Sequence, residues 1–391
     1  MLGIQSLPSR RHVVAPQRLR VFRTDPQSDP RWHAFLSGHP DGTIYHHPKW
    51  IRVIEEEYGQ QSEHLACEDE GGRFLAIMPM LYTRGLPLNL GGSSTGKRLS
   101  SLPRTPLAGP LSSSPHATAA ILREAVAKSR QEPGMQLQIK GSRELDPLVE
   151  GQVEGLVGIP WRVSYVLRLP DQSQGPFRIA DGQERAKIKW AINKAAKLGV
   201  VVRPAETEAD LRAWYRIYLE TMRRNAVPPR PYRFFTGLWE ILRPAGMMEL
   251  LLAELPEGQR RTVIAGSVFL NYGTTVSYAF NGMDRKHGSL RANDAIQWHA
   301  INAACRGGFR SFDFGEVPEG HTELARFKSK WGAQPARLHR YHCPDPCPGD
   351  PSGDGNSGES ESRIQSMAYA VWRRLPLGVT ERVGDWLYSY L

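Results

Sequence analysis

Residues 247–281 carry three strand patterns in succession, at 247–254, 261–271 and 274–281, parted by turns at Pro256-Glu257-Gly258 and Tyr272-Gly273. A helix period follows from 292 to 306 and ends at Gly307-Gly308; a short strand, Phe309 to Phe314, comes next. A helix at 321–331 and a strand at 336–342 close the series. Strands interleaved with helices in this order confine the region to an α/β (α+β) architecture. Helix patterns over 183–198, 207–224 and 232–242 lead into it, with Pro228-Pro229-Arg230-Pro231 between the last two.

The preceding part of the chain runs through the same order of elements. A helix opens at Pro48, places Trp50, Val53, Ile54 and Tyr58 on one face, and stops at Gly59. His64 to Glu68 and Phe74 to Leu81 read as a hairpin around Asp69-Glu70-Gly71-Gly72. A Gly-, Pro- and Ser-rich loop spans 84–115, followed by a helix at 116–131 and strands at 136–140 and 161–169. Residues 48–81 match 233–270 in element order at an offset of 185 residues, which predicts a duplication. The expected organisation is a disordered tail at 1–17, a first domain at 18–169, a linker at 170–182 and a second domain at 183–343. A disordered linker at 344–362 and an amphipathic helix at 363–391 complete it.

Composition narrows the class of function. Hydrophobic residues are 40% and charged residues 23%, ordinary globular usage, so a packed core is expected. No uncharged apolar run reaches 18 residues, which argues against a spanning helix. With four cysteines and no apolar leader at the N-terminus, the expected compartment is the reducing cytoplasm. The net charge of +10 favours anionic partners. The basic residues are scattered, without a contiguous block of five, which speaks against a DNA-binding arm.

Several motifs are weighed and set aside. Gly91 to Arg98 nearly matches a phosphate-binding GxxxxGK[ST] loop but has Arg98 where a magnesium-binding hydroxyl is needed; with Lys97, Arg98 and Arg104 it reads either as a solvated loop or as a holder of phosphate without hydrolysis. His339, His342, Cys343 and Cys347 crowd into nine residues, the wrong spacing for common zinc sites, so no metal is expected. The helix at 183–198 sets Arg185, Lys189 and Lys197 on one side of an apolar stripe of Ile188, Ile192, Ala195 and Ala196. It reads either as a solvated basic face or as a seat for a polyanion. At the C-terminus, Ile364, Met367, Ala368, Val371 and Leu375 share a face with Arg373 and Arg374 nearby; Val379, Val383, Trp386, Leu387 and Tyr390 extend it. That helix either docks on the protein's own core or lies in a membrane interface.

The densest chemistry runs from Tyr278 to Gly332. Tyr278-Ala279-Phe280-Asn281-Gly282 is a strand bearing polar residues, and a helix opens near Arg291-Ala292-Asn293. A helix N-terminus after a strand is a ready anion site. Asp313 and Glu316 stand at the end of the strand Phe312-Asp313-Phe314, and Phe327-Lys328-Ser329-Lys330-Trp331-Gly332 follows on a helix. Together with His47-Pro48-Lys49-Trp50 and the segment Arg185 to Gly199, this series resembles the FemAB group of the GNAT (acyl-CoA N-acyltransferase) superfamily, over about residues 45–342.

The resemblance implies two tandem GNAT-like domains with mixed central sheets flanked by helices. It implies an N-acyltransferase or aminoacyltransferase acting on an amine of a cell-envelope or polysaccharide precursor. The donor would be an acyl-CoA or aminoacyl-tRNA, with no tightly bound cofactor. The acceptor would be anionic, lipid-linked or nucleotide-linked, reached at the inner face of the plasma membrane. By the match of the Phe-Lys pair, Lys328 is the first catalytic candidate. Attack by an amine needs a proton acceptor and donors for an oxyanion. Asp313, Glu316 and His321 are candidate acceptors, and Asn281 a neutral donor. Tyr278, Arg285, Arg291, Asn293, Arg185 and Lys189 are candidate binding residues. Two other readings stay open: acetyl-CoA-dependent acetylation of a small amine or amino sugar, and a non-catalytic module binding anionic glycan or RNA.

Overall fold

The structure, a computed structural model, describes residues 18–85, 96–171, 182–258, 260–344, 369–388 and 390. The expected tail at 1–17, the glycines of 91–95, most of the linker at 170–182 and the segment 345–362 lie outside the described residues. Four strands, β1 (Arg20–Arg23), β2 (Leu65–Glu68), β3 (Phe74–Met78) and β6 (Leu111–Ser112), make a small sheet in the order β1-β2-β3-β6. The other ten are β4 (Leu81–Thr83), β5 (Arg98–Ser100), β7 (Gln136–Gly141), β8 (Val157–Arg168), β9 (Val201–Pro204), β10 (Met248–Glu257), β11 (Arg260–Tyr272), β12 (Thr275–Met283), β13 (Ser311–Val317) and β14 (Gln334–Cys343). They form one mixed sheet in the order β4-β5-β7-β14-β8-β13-β12-β11-β10-β9.

Helices α1 (Pro30–Gly38), α2 (Pro48–Tyr58), α3 (Pro115–Arg130), α4 (Pro147–Glu150), α5 (Gln183–Lys197), α6 (Glu208–Arg224), α7 (Tyr232–Gly237), α8 (Ala292–Arg306), α9 (Thr322–Ser329) and α10 (Leu377–Tyr388) flank the sheets. Local chemistry accounts for their limits. Pro48 sits in the first turn of α2, the His47 ring accepts from the Lys49 N–H at 3.1 Å, and Gly59 ends the helix in the left-handed region. Thr207 and Asp210 form a capping box at the start of α6.

The fold is two GNAT-like halves in tandem, joined by exchanged strands. β14 follows α9 in the chain, yet it pairs antiparallel with both β7 and β8. β8, which precedes the linker, pairs on its other edge with β13. The central hydrophobic cluster is shared as well. Trp50, Ile54 and Tyr58 of α2 pack in it with Trp214 and Tyr218 of α6 and Phe234 and Phe235 of α7.

One buried ion pair braces that seam. Arg230 donates to Glu57 Oε2 at 2.7 Å, and neither side chain is more than 4% exposed. The Arg230 guanidinium lies 4.1 Å over the Phe234 ring and donates at 2.5 Å to the Arg104 carbonyl. Burial pushes the Glu57 carboxyl up, and Arg230 opposes that shift.

Three sequence expectations are corrected. The hairpin forms between β2 and β3, but its second strand ends at Met78 rather than Leu81, and Leu81 opens β4 at the edge of the large sheet. The loop at 84–115 contains β5 and β6, too short to show a period. The helix at 232–242 is regular only in α7; a wide π turn at Leu238–Leu242 and a tight turn at Arg243–Ala245 complete it.

Glu57→Ala leaves the Arg230 charge buried and unpaired, so unfolding free energy should drop by about 3–5 kcal/mol in urea titrations. A drop below about 1 kcal/mol would show the seam does not depend on this pair.

Candidate active site

β12 and β13 run parallel but pair only over Thr275–Ser277 and Ser311–Asp313. Beyond that point they part. On β12 an irregularity in register falls at Ala279, which is skipped between Phe280 and Tyr278 in their pairing with β11. On β13 the register with β8 shifts between Asp313 and Glu316. Gly315 occupies the break with φ +76°, a conformation that costs a non-glycine residue about 1–2 kcal/mol. The gap opens into a cleft of about 670 Å³, with Tyr278 to Asn281 on one wall and Phe314 to Glu316 on the other.

Lys328 of α9 reaches into this break. Its Nζ donates to the carbonyls of Gly315 at 2.9 Å and Glu316 at 3.0 Å, groups that the splayed strands leave unpaired. An ammonium has three donors, so one remains for a ligand in the cleft. The side chain is 4% exposed, and that burial lowers its pKa from 10.5 to about 8. Asp313 and Glu316 pull the other way.

The two acids differ in position. Asp313 accepts from Ser164 Oγ at 2.7 Å and from the Gly315 N–H at 2.8 Å, and is not part of the cleft lining. Burial raises its pKa, against those two bonds and Lys328. Glu316 lines the cleft. Its Oε1 accepts from Arg162 at 2.8 Å, and its Oε2 is buried without a hydrogen-bond partner. Asn281 lines the cleft too, its Oδ1 taken by the Ser267 hydroxyl at 3.1 Å. Tyr278 lines the cleft as well, its phenol pushed up by burial.

The remaining sequence candidates lie elsewhere. His321 precedes α9, is exposed, and lines a different cavity with Trp161 and Arg337. Arg185 and Lys189 on α5, Arg285 in the tight turn Arg285–Leu290, and Arg291 and Asn293 at the start of α8 are absent from the cleft lining. Four of these five are exposed, and Arg291 stacks 5.3 Å over the Trp190 ring. Asn293 is half-buried, with an unpartnered Oδ1. The apolar stripe of α5 is Ile188, Ala191, Ile192 and Ala195; Ala196, expected in it, is exposed.

Sequence reasoning missed most of the cationic lining, having offered only Arg98 and Arg104 as phosphate holders. Arg98 of β5, Lys140 of β7 and Arg340 of β14 line the cleft together with Arg104, Arg162 and Arg230. Lys140 is 4% exposed and donates to the Leu102 carbonyl; desolvation and the neighbouring Arg340 drive its pKa well down. Glu316 is the single acid among the described lining residues, so the cleft is strongly electropositive. The signal was present. Leu99, Leu137, Ile139 and Tyr341 of these strands pack in the cluster under α3, and the polar residues alternate with them.

α10 closes one side of the cleft. The Tyr388 hydroxyl accepts from Arg104 at 2.7 Å, and Tyr388 lines the cavity. Among the described residues no group of three histidines, cysteines or acids has a metal-binding arrangement.

Residues 182–329 match the family model described as an acetyltransferase (GNAT) domain. No curated protein matches the sequence. Among solved structures, FemX resembles the chain with a TM-score of 0.59 at 15% identity, over 82% of this chain and 96% of its own. A conserved protein of unknown function from Bacteroides thetaiotaomicron gives 0.53 at 10% identity, over 83% and 99%. The C-terminal domain of a protein described as a lysylphosphatidylglycerol synthetase, from Agrobacterium fabrum, gives 0.51 at 9% identity, over 89% and 97%.

Gly315→Ala should destabilise the fold by about 1–2 kcal/mol, because the left-handed backbone rejects a Cβ that would also stand 3.4 Å from the Tyr278 carbonyl. Urea unfolding checks it; unchanged stability would mean the splay does not depend on that conformation.

Proposed function

We propose that this chain, a FemAB-like protein of the GNAT superfamily, moves an activated acyl or aminoacyl group onto an amine of an anionic cell-envelope or polysaccharide precursor. The carrying observation is the Lys328 ammonium, held by two backbone carbonyls at the strand break with one donor left for the cleft. The family match and the FemX-like fold support acyl transfer as the reaction class. The cation-lined walls support an anionic acceptor.

In this reading the acceptor's neutral amine attacks the carbonyl carbon of an ester or thioester donor. The carbonyl oxygen becomes an oxyanion and takes the free N–H of Lys328, whose charge it meets in a site shielded from water. Glu316 Oε2 accepts the proton that the nitrogen loses. Collapse of the tetrahedral intermediate breaks the bond to the leaving oxygen or sulfur, which departs protonated from that carboxyl or from water. Asp313 serves Lys328 as a positioning residue, through the bond it makes to the Gly315 N–H. Arg98, Arg104 and Arg340 hold the acceptor's negative charge.

A second reading of the donor, acyl-CoA alone, draws on the start of α8. That helix opens at Arg291 without a side-chain cap, directly after the turn Arg285–Leu290. Such a terminus suits a pyrophosphate. Calorimetric titration of coenzyme A into the protein and into an Arg285→Glu variant tests it, and equal heats for both would count against this turn.

Lys328 is needed as a cation, so its pKa of about 8 sets a falling limb. The ammonium fraction, and kcat with it, should decline as pH rises through 8. Lys328→Ala should lower kcat by about 10²–10³-fold with the circular dichroism spectrum unchanged. In Lys328→Arg the guanidinium stays charged, so whatever activity remains should lack that limb. A limb near pH 8 that persists in the arginine variant would remove Lys328 from the chemistry.

Arg98→Ala and Arg340→Ala should raise KM for an anionic acceptor with little change in kcat. Added salt should raise the wild-type KM in the same direction. A loss confined to kcat would place these arginines outside acceptor binding.

A further inference from the structure

The described C-terminal residues present a contradiction of ordinary helix packing. α10 buries Thr380, Gly384 and Tyr388, one face at i, i+4 and i+8. That face holds one large ring, Tyr388, beside the small Thr380 and Gly384. Gly384 allows contact with Pro229, whose atoms would stand 2.8 Å from a Cβ there. Of the apolar stripe the sequence shows, Val379 and Trp386 turn outward at i and i+7, while Val383, Leu387 and Tyr390 are half-buried.

Val379 is 41% and Trp386 46% exposed, and the Trp386 and Tyr390 rings pack 5.3 Å apart. Just upstream, Tyr369 and Val371 are 49% and 62% exposed. Four of the ten large hydrophobics exposed among the described residues thus fall within 369–388. A helix that docked to fill the core would turn this stripe inward.

Charge identifies what covers the stripe. Arg382 lies between Val379 and Trp386 on the outward side, and Arg373 and Arg374 are exposed beside Tyr369 and Val371. Asp385, the acid nearest Trp386, is engaged by Arg233. Aromatic rings flanked by exposed arginines match the boundary of an anionic bilayer, where rings sit at headgroup depth and cations meet lipid phosphates. Among the described residues no helix is long and apolar enough to cross a membrane. The contact is therefore interfacial. We infer that residues 369–388 seat this protein on an anionic lipid surface by the outward face of α10, while the inward face stays docked beside the cleft. This deepens the acyl-transfer reading, because it brings the cleft mouth near an acceptor held in that surface.

Flotation of the full chain with vesicles tests the surface independently of catalysis. Vesicles of phosphatidylcholine with an equal part of phosphatidylglycerol should carry the protein up, and pure phosphatidylcholine should not. Val379→Asp with Trp386→Asp should cut flotation at least about tenfold, and reversing Arg373, Arg374 and Arg382 to Glu roughly fivefold per arginine. Both variants should keep the wild-type circular dichroism spectrum and turn over a water-soluble amine acceptor at the wild-type rate. Equal flotation of wild type and variants overturns the inference. So does equal flotation on both vesicle types, or on neither. A wild-type mass of twice the monomer that the Val379→Asp, Trp386→Asp variant halves would assign the stripe to a second copy instead. Intact flotation with no acyl transfer would sink the catalytic reading and leave the membrane seat standing.

Discussion

The parting of β12 from β13 is the constraint on which the rest of the site depends. Two parallel strands that stay paired satisfy each other's backbone and leave no room for a ligand. Here pairing between β12 and β13 stops after Ser277 and Asp313, and the carbonyls of Gly315 and Glu316 are met by Lys328 instead of by β12. A buried carbonyl needs a donor. Lys328 supplies it, and that requirement carries an ammonium into a half-dry cleft. The same burial brings its pKa to about 8, so the structural role and the chemical one arise from a single contact.

The cleft also requires both halves of the chain. Its reactive wall comes from β12, β13 and α9, and its cationic wall from β5, β7 and β14. β14 makes this possible by pairing with β7 and β8 at once, which welds the two halves into one sheet. The Glu57–Arg230 pair holds the seam from behind, and Arg230 contributes to the lining. Tyr388 then brings the C-terminal helix against Arg104. Parts near positions 140, 230, 328 and 388 meet in one cavity, so a local disturbance in either half should be felt at the other.

Much of the fold was legible because period and punctuation act locally. α2, α3, α5, α6 and α8 fall within a residue or two of their sequence limits, as do β7, β11 and β12. Prolines in first turns, glycines at helix ends and alternation along strands depend on neighbours a few residues away. The short strands β5, β6 and β9 escaped, since two to four residues show no period. At the site, Lys328, Glu316, Asn281 and Tyr278 meet in the cleft, whereas His321 and the five candidates on α5 and at the start of α8 do not. The sequence grouped most of them because they are close in the chain, and Arg185 and Lys189 through the family resemblance. The strand break divides them, one group lining the splay and the others outside it.

Composition, periodicity and the order of elements determined by themselves that this chain builds mixed α/β layers, with Lys328 on the helix before the last strand. Those properties are short-ranged and survive in any arrangement of the elements. Tertiary structure alone decided that Lys140, Arg230 and Arg340 share a cavity with Lys328, and which side of α10 faces inward. The reason is that charge pairing and burial depend on distance in space. The Pro229 contact at Gly384 and the Arg104 bond to Tyr388 outweigh the helix's own amphipathic preference, and no window of sequence contains both partners.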